Sequence, residues 1–151
     1  MTGEQSKGAM PSPGQTLVLY DGVCGLCNRL VSLLLRHDRR DQFRFAPLQS
    51  EFGQAILRRY GLDLNDFDTV VVLADFGQGG ERAFTCSQAA LWAIGRLGGI
   101  WRLFVIAKVI PLSLREALYR FVARRRYRLF GKYDECPLPR LEDRYKFIDH
   151  R

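Results

Sequence analysis

The apolar run Leu17-Val18-Leu19-Tyr20 leads through Asp21-Gly22-Val23 directly into Cys24-Gly25-Leu26-Cys27, and this junction constrains the chain more than any other segment. A short continuous apolar run reads as a buried strand. Beyond it, Cys27, Leu30, Val31, Leu34 and Leu35 recur at helical spacing, which predicts a helix from about Gly25 to His37. Two cysteines three positions apart, set between a strand and a helix, are the arrangement used for thiol–disulfide exchange.

The elements that follow define the rest of the fold. Charged residues 36–41 mark a solvated connection, and Phe43-Arg44-Phe45-Ala46 alternates as a short strand that Pro47 stops. Ser50 can cap a helix reaching about Tyr60, with Phe52, Ile56 and Tyr60 on one side and Gly61 ending it. Thr69 to Ala74 is β-branched and continuous, hence a strand buried on both faces. A glycine-rich turn then returns the chain as Arg82-Ala83-Phe84-Thr85, antiparallel beside it. A helix from about Ser87 to Leu97 turns Ala90, Leu91, Ile94 and Leu97 inward, and Gly98-Gly99 breaks it. Trp101 to Val109 is a further helical stretch closed by Pro111, and Leu114, Ala117, Leu118, Phe121 and Val122 mark one more amphipathic helix. The order β-α-β-α-β-β-α predicts an α/β fold with a thioredoxin-like central sheet and additional C-terminal helices. At 151 residues one domain is expected, spanning 16–140 between a polar disordered tail, 1–15, and a C-terminal tail, 141–151.

Cysteine and charge usage narrow the class. Cys24, Cys27, Cys86 and Cys136 are too few and too scattered for a secreted disulfide scaffold. The Gly-, Ser- and Pro-containing start lacks the apolar core of a signal peptide, so a cytoplasmic location is expected. The formal charge is +7, of which six arginines against Glu116 place +5 between Arg115 and Arg128. Arg124-Arg125-Arg126-Tyr127-Arg128 has the composition of a phosphate-binding patch, but no nucleic-acid fold signature accompanies it. The expectation is a positively charged last turn with a solvated exit. Residues 89–112 are apolar, yet Arg96, Arg102, Lys108 and Gly98-Gly99 interrupt them well short of the roughly 18 apolar residues of a membrane span. Two core helices are expected there, with peripheral membrane contact through Trp101, Leu103 and Phe104 as the minor reading.

The thiolate is the reactive form of cysteine, and the unpaired N–H groups and dipole of a helix start favour it. Cys24, expected to be the more exposed thiol, is therefore the candidate nucleophile, and Cys27, one turn further in, the resolving thiol. Asp21 has two compatible readings. It can take or return a proton as Cys27 attacks, or it can satisfy backbone N–H groups at the turn. Cys86 reads as a small buried apolar residue, and Cys136 as a packed or surface cysteine with a minor claim to the dithiol. Zinc is disfavoured because Cys86 and Cys136 are isolated and neither His37 nor His150 forms a second ligand pair. His37 reads as complementing a helix end. No cofactor and no metal is expected.

Tyr20-Asp21-Gly22-Val23-Cys24-Gly25-Leu26-Cys27 resembles the signature of the DCC family of thiol–disulfide oxidoreductases, named for an Asp and two Cys. The resemblance continues through Phe45-Ala46-Pro47-Leu48-Gln49-Ser50, Ser87-Gln88-Ala89-Ala90, Arg126-Tyr127-Arg128-Leu129-Phe130-Gly131 and Cys136-Pro137-Leu138-Pro139. It implies a thioredoxin-like fold and a disulfide-reducing or exchanging enzyme. The implied partners are a disulfide-containing protein or small-molecule substrate and an external thiol reductant. Gly-Leu stands between the cysteines where thioredoxins carry Gly-Pro. Asp66-Phe67-Asp68 precedes Thr69 where a thioredoxin places its cis-proline. An alternative of a different class is an adaptor on the same scaffold, its basic C-terminal helix docking an acidic partner or nucleic acid.

Overall fold

The computed structural model describes residues 11–62, 70–77, 79–132 and 140–148. Strand β1 (Thr16–Tyr20) leads into helix α1 (Gly25–His37), followed by β2 (Phe43–Pro47) and α2 (Glu51–Arg59). The hairpin β3 (Val71–Ala74) and β4 (Arg82–Thr85) precedes α3 (Cys86–Arg96). A 3-10 helix (Gly99–Val109), the long helix α4 (Leu112–Phe130) and a 3-10 segment (Leu141–Lys146) complete the described chain. The first seven elements follow the β-α-β-α-β-β-α order expected for a thioredoxin-like sheet.

The sheet is four-stranded and mixed, in the order β2-β1-β3-β4. β1 runs parallel to β2 and antiparallel to β3, and β3 pairs antiparallel with β4. Side-chain alternation divides the central strands between two cores. Val18, Tyr20 and Val72 face α1 and α3, joining Cys24, Cys27, Val31, Leu34, Ala89 and Ala93. Leu17, Leu19, Val71 and Leu73 face α2 through Ile56 and Leu57. Helices on both faces therefore explain why β1 is buried throughout. Ser50 caps α2 as expected, its Oγ accepting from the Gly53 N–H at 3.0 Å.

Three expectations need adjustment. The buried line of α3 is Ala89 and Ala93; Ala90, Leu91 and Ile94 are only half-buried. Trp101–Val109, expected as a core helix, belongs to a 3-10 helix whose Leu103, Ile106 and Val109 are exposed. Helix α4 likewise turns Leu114, Leu118 and Phe121 outward, and its buried residues are Ala123 and Arg126. Finally, 141–148 does not behave as a tail. The Ile148 N–H donates to the Phe45 carbonyl at 2.7 Å, and Phe147 stacks on Phe45 with ring centroids 5.3 Å apart. Lys146 Nζ lies 3.0 Å from the buried Asp38 carboxylate, which also accepts the Gln42 and Phe43 N–H groups. Residues 1–10 and 149–151, with His150, lie outside the described residues, as do Asp66-Phe67-Asp68, Thr69, Cys136 and Pro137.

Because Phe147 fills the same core as the dithiol, Phe147→Ala is expected to lower unfolding free energy by about 3 kcal/mol in a urea titration. A loss below about 0.5 kcal/mol, the usual limit for a surface position, would mean that the segment is not part of the core.

Candidate active site

Strand β1 ends at Tyr20, and four residues later α1 begins with Cys24 as its N-cap (φ −83°, ψ 125°). Asn28 secures this turn by donating from Nδ2 to the Gly22 and Cys24 carbonyls at 2.9 and 2.8 Å. Both cysteines are free thiols. Cys24 is 0% exposed and Cys27 7%, so the expected order of exposure is reversed. The cover is the end of α4. Gly131 (φ +84°) turns the chain back, its carbonyl accepts the Gly25 N–H at 3.1 Å, and Lys132 bridges to Cys24. This approach explains the glycine between the cysteines, because a Cβ on Gly25 would stand 2.1 Å from the Phe130 carbonyl oxygen.

The thiols are electrically unequal. A hydrogen bond from Cys27 is the largest influence on Cys24 and favours its thiolate, against the opposing effect of burial. The Cys27 and Leu26 backbone N–H groups and the Arg126 charge act in the same direction, bringing Cys24 down to about 6. Cys27 is pushed far upward, first by its hydrogen bond to Cys24 and then by burial. Both influences favour the proton on Cys27 over Cys24.

Asp21 is completely buried beside this pair. Its Oδ1 accepts from Gln49 Nε2 at 2.6 Å and from the Val23 N–H at 3.2 Å. Its Oδ2 accepts from Arg126 Nη2 at 3.0 Å and from the Tyr127 hydroxyl. Arg126 is itself only 3% exposed and also donates to the Ala123 carbonyl and to Tyr127. Burial, then the bond to Asp21, pushes the Tyr127 hydroxyl up to about 12, so it stays a donor. The sequence reading of Arg124–Arg128 as a solvated exit thus fails at Arg126, while Arg124, Arg125 and Arg128 are exposed. Composition could not separate one buried arginine from its neighbours. The resemblance carried the better signal, since Gln49, Arg126, Tyr127 and Gly131 all lie in matched segments. Ala89, from another such segment, packs in the dithiol core.

The other candidates stand apart. Cys86 opens α3, and its side chain, like all of Cys136, lies outside the described residues. His37 Nδ1 lies 3.0 Å from the Leu33 carbonyl at the end of α1, remote from the helix start that carries the thiols. Among the described residues no group of three or more His, Cys, Asp or Glu side chains converges as a metal site.

Two free thiols lie close together at a helix start, packed on a mixed α/β sheet, an arrangement that thiol–disulfide exchange can use. The match of residues 18–132 to the DCC1-like thiol-disulfide oxidoreductase model shows that the chain belongs to that family. It is 39% identical over 132 residues to the uncharacterized protein YuxK of Bacillus subtilis, covering 87% of this chain and 93% of that one. It is also 36% identical over 123 residues to a chloroplastic DCC family protein of Arabidopsis thaliana, covering 81% and 69% of the two chains. No solved structure matches. No described helix is long and apolar enough to cross a membrane.

Two measurements test this geometry. The ultraviolet thiolate absorbance should rise as pH passes through about 6, corresponding to one cysteine, and then level off. Cys27→Ala should move that midpoint toward the ordinary thiol value of about 8.5; an unmoved midpoint would remove Cys27 as the cause. Gly25→Ala should push Phe130–Lys132 off Cys24 and speed its alkylation in the folded protein. An unchanged rate would show that this segment does not limit access.

Proposed function

We propose that this protein is a thiol–disulfide oxidoreductase in which Cys24 attacks and Cys27 resolves. The observation that carries this reading is the pair of free thiols at the start of α1, Cys24 as its N-cap and Cys27 one turn further in, in surroundings that favour ionisation of Cys24 over Cys27. The Cys24 thiolate attacks a substrate disulfide, forming a mixed disulfide and releasing the first substrate thiolate, which takes up a proton. Cys27 loses its proton and attacks Cys24 Sγ, forming Cys24–Cys27 and releasing the second substrate thiolate, which is protonated in turn. The substrate disulfide gains two electrons from the protein dithiol and two protons, one that left Cys27 and one from solvent. An external thiol reductant then restores the dithiol.

Asp21 enters this scheme as a positioning residue. Four donors occupy its two oxygens, which favours the satisfied-turn reading over the proton-relay reading. Its negative charge also opposes ionisation of Cys27, supporting the assignment of the resting proton. Entry of a substrate sulfur requires the Gly131–Lys132 segment to yield, since Cys24 is fully covered.

Cys24→Ser should abolish reduction of a model disulfide, and Cys27→Ser should accumulate a mixed disulfide detectable by mass. The wild-type couple should be reversible, with a potential of roughly −200 to −270 mV, the range of glutaredoxins and thioredoxin. Full reductase activity in Cys24→Ser, or a dithiol that resists oxidation, would overturn the assignment and favour the adaptor.

A further inference from the structure

We propose that the outward face formed by the 3-10 helix Gly99–Val109 and helix α4 docks this protein on an anionic lipid surface. A 3-10 helix has three residues per turn, so side chains at i and i+3 eclipse. Ile100, Leu103, Ile106 and Val109 follow this period and form one straight stripe, 61–82% exposed. Arg102 and Lys108, six apart, share a second line of the same helix and are also exposed. The result is an apolar edge beside a basic one.

Helix α4 extends the surface. Leu114, Leu118 and Phe121 recur at spacings of four and three, lie on one face and are each more than half exposed. They cannot be reserved for the core of the domain, because α4 already buries Ala123 and Arg126 there. Arg125 stacks over the Phe121 ring at 4.3 Å, so a cation rides on this apolar face, and Arg120 and Arg124 flank it. Ile110 and Leu112, exposed as well, join the two along the chain, and such a run of exposed apolar side chains marks an interaction site.

Charge selects the occupant. With Arg126 turned inward to Asp21, residues 100–129 leave seven Arg and Lys against the single Glu116, a balance of +6 out of the chain's +7. A second copy seated on this face would oppose like charge with like. A nucleic acid would meet the arginines and leave the stripe of Ile100, Leu103, Ile106 and Val109 unused. An anionic bilayer satisfies both, taking apolar side chains at the acyl boundary and the cations at its headgroups. The surface lies on the bilayer and does not span it. The site helix and the docking helix are the same element, with Arg126 on the inner side of α4 and Phe121 on the outer.

The full chain should co-sediment with vesicles of phosphatidylcholine containing phosphatidylglycerol, and not with phosphatidylcholine alone, and added salt should release it. Leu103→Asp with Ile106→Asp should weaken partitioning on the order of tenfold or more, as should Arg120→Glu with Arg124→Glu. Both variants should keep the circular-dichroism spectrum and the soluble disulfide-reductase rate of the wild type. Absence of vesicle binding at low salt would overturn the proposal. Binding insensitive to Leu103→Asp with Ile106→Asp would reduce the surface to a general polycation and overturn it equally. Concentration-dependent dimerisation without vesicle binding, abolished by the same variant, would assign the face to a second copy instead. A protein without reductase activity that still docks would separate this inference from the redox assignment.

Discussion

The arrangement around the dithiol depends on one buried ion pair, Asp21 with Arg126. A carboxylate with no exposed surface must be answered by charge and hydrogen bonds within the protein. Here the answers come from three parts of the chain: the turn itself through Val23, the loop after β2 through Gln49, and α4 through both Arg126 and Tyr127. A pair of this kind does not have to add net stability, but removing one partner strands the other and costs about 3–5 kcal/mol. The pair is therefore a constraint on assembly. The β1–α1 turn, the Pro47–Ser50 loop and the end of α4 are satisfied together or not at all, although Asp21 and Arg126 are 105 residues apart in sequence.

That constraint sets the environment of the thiols. With Arg126 and Tyr127 held inward, the next turn of α4 brings Phe130 against Gly25 and lets Gly131 close over the start of α1. The Arg29 guanidinium, 5.3 Å from the Phe130 ring centroid, braces the same approach. The closure removes Cys24 from water, which by itself would raise its pKa. The hydrogen bond from Cys27 outweighs that burial, assisted by the helix N-terminus and by Arg126. Arg126 thus has two effects: it neutralises Asp21, and its positive field favours the thiolate.

Local features were legible in the sequence and distant ones were not. The period from Cys27 to Leu35 defined α1 to its observed ends, and Ser50 marked the start of α2 through its hydroxyl cap. Those signals are carried within a few residues. Which arginine of Arg124–Arg128 turns inward depends on where Asp21 lies in space, and no window of sequence around α4 contains that information. The apolar period of Leu114, Leu118 and Phe121 marked α4 but not what that face meets, for a related reason. Periodicity identifies a face without saying what it faces, and the core side of α4 is instead set by Ala123, whose small side chain permits approach, and by the Arg126 ion pair. The role of Phe147 was hidden similarly, since three residues of a polar terminus carry no strand or helix signal until Phe45 is placed beside them.

The two thiol pKa values bear on direction as well as on rest-state charge. A thiol of low pKa leaves readily from a disulfide, and one of high pKa is the stronger nucleophile when ionised. In the proposed exchange, Cys24 is first the nucleophile and then the sulfur under attack, while Cys27 must ionise only at the second step. The largest influence holding the proton on Cys27 is its hydrogen bond to Cys24, and the Cys24 charge adds to it. Both vanish once Cys24 Sγ is bonded to a substrate sulfur and no longer carries charge. Burial and the Asp21 carboxylate remain, but Cys27 is then easier to ionise than in the free dithiol. Formation of the mixed disulfide thereby removes the main obstacle to its own resolution, and the proton that secured the resting state becomes available to the departing thiolate.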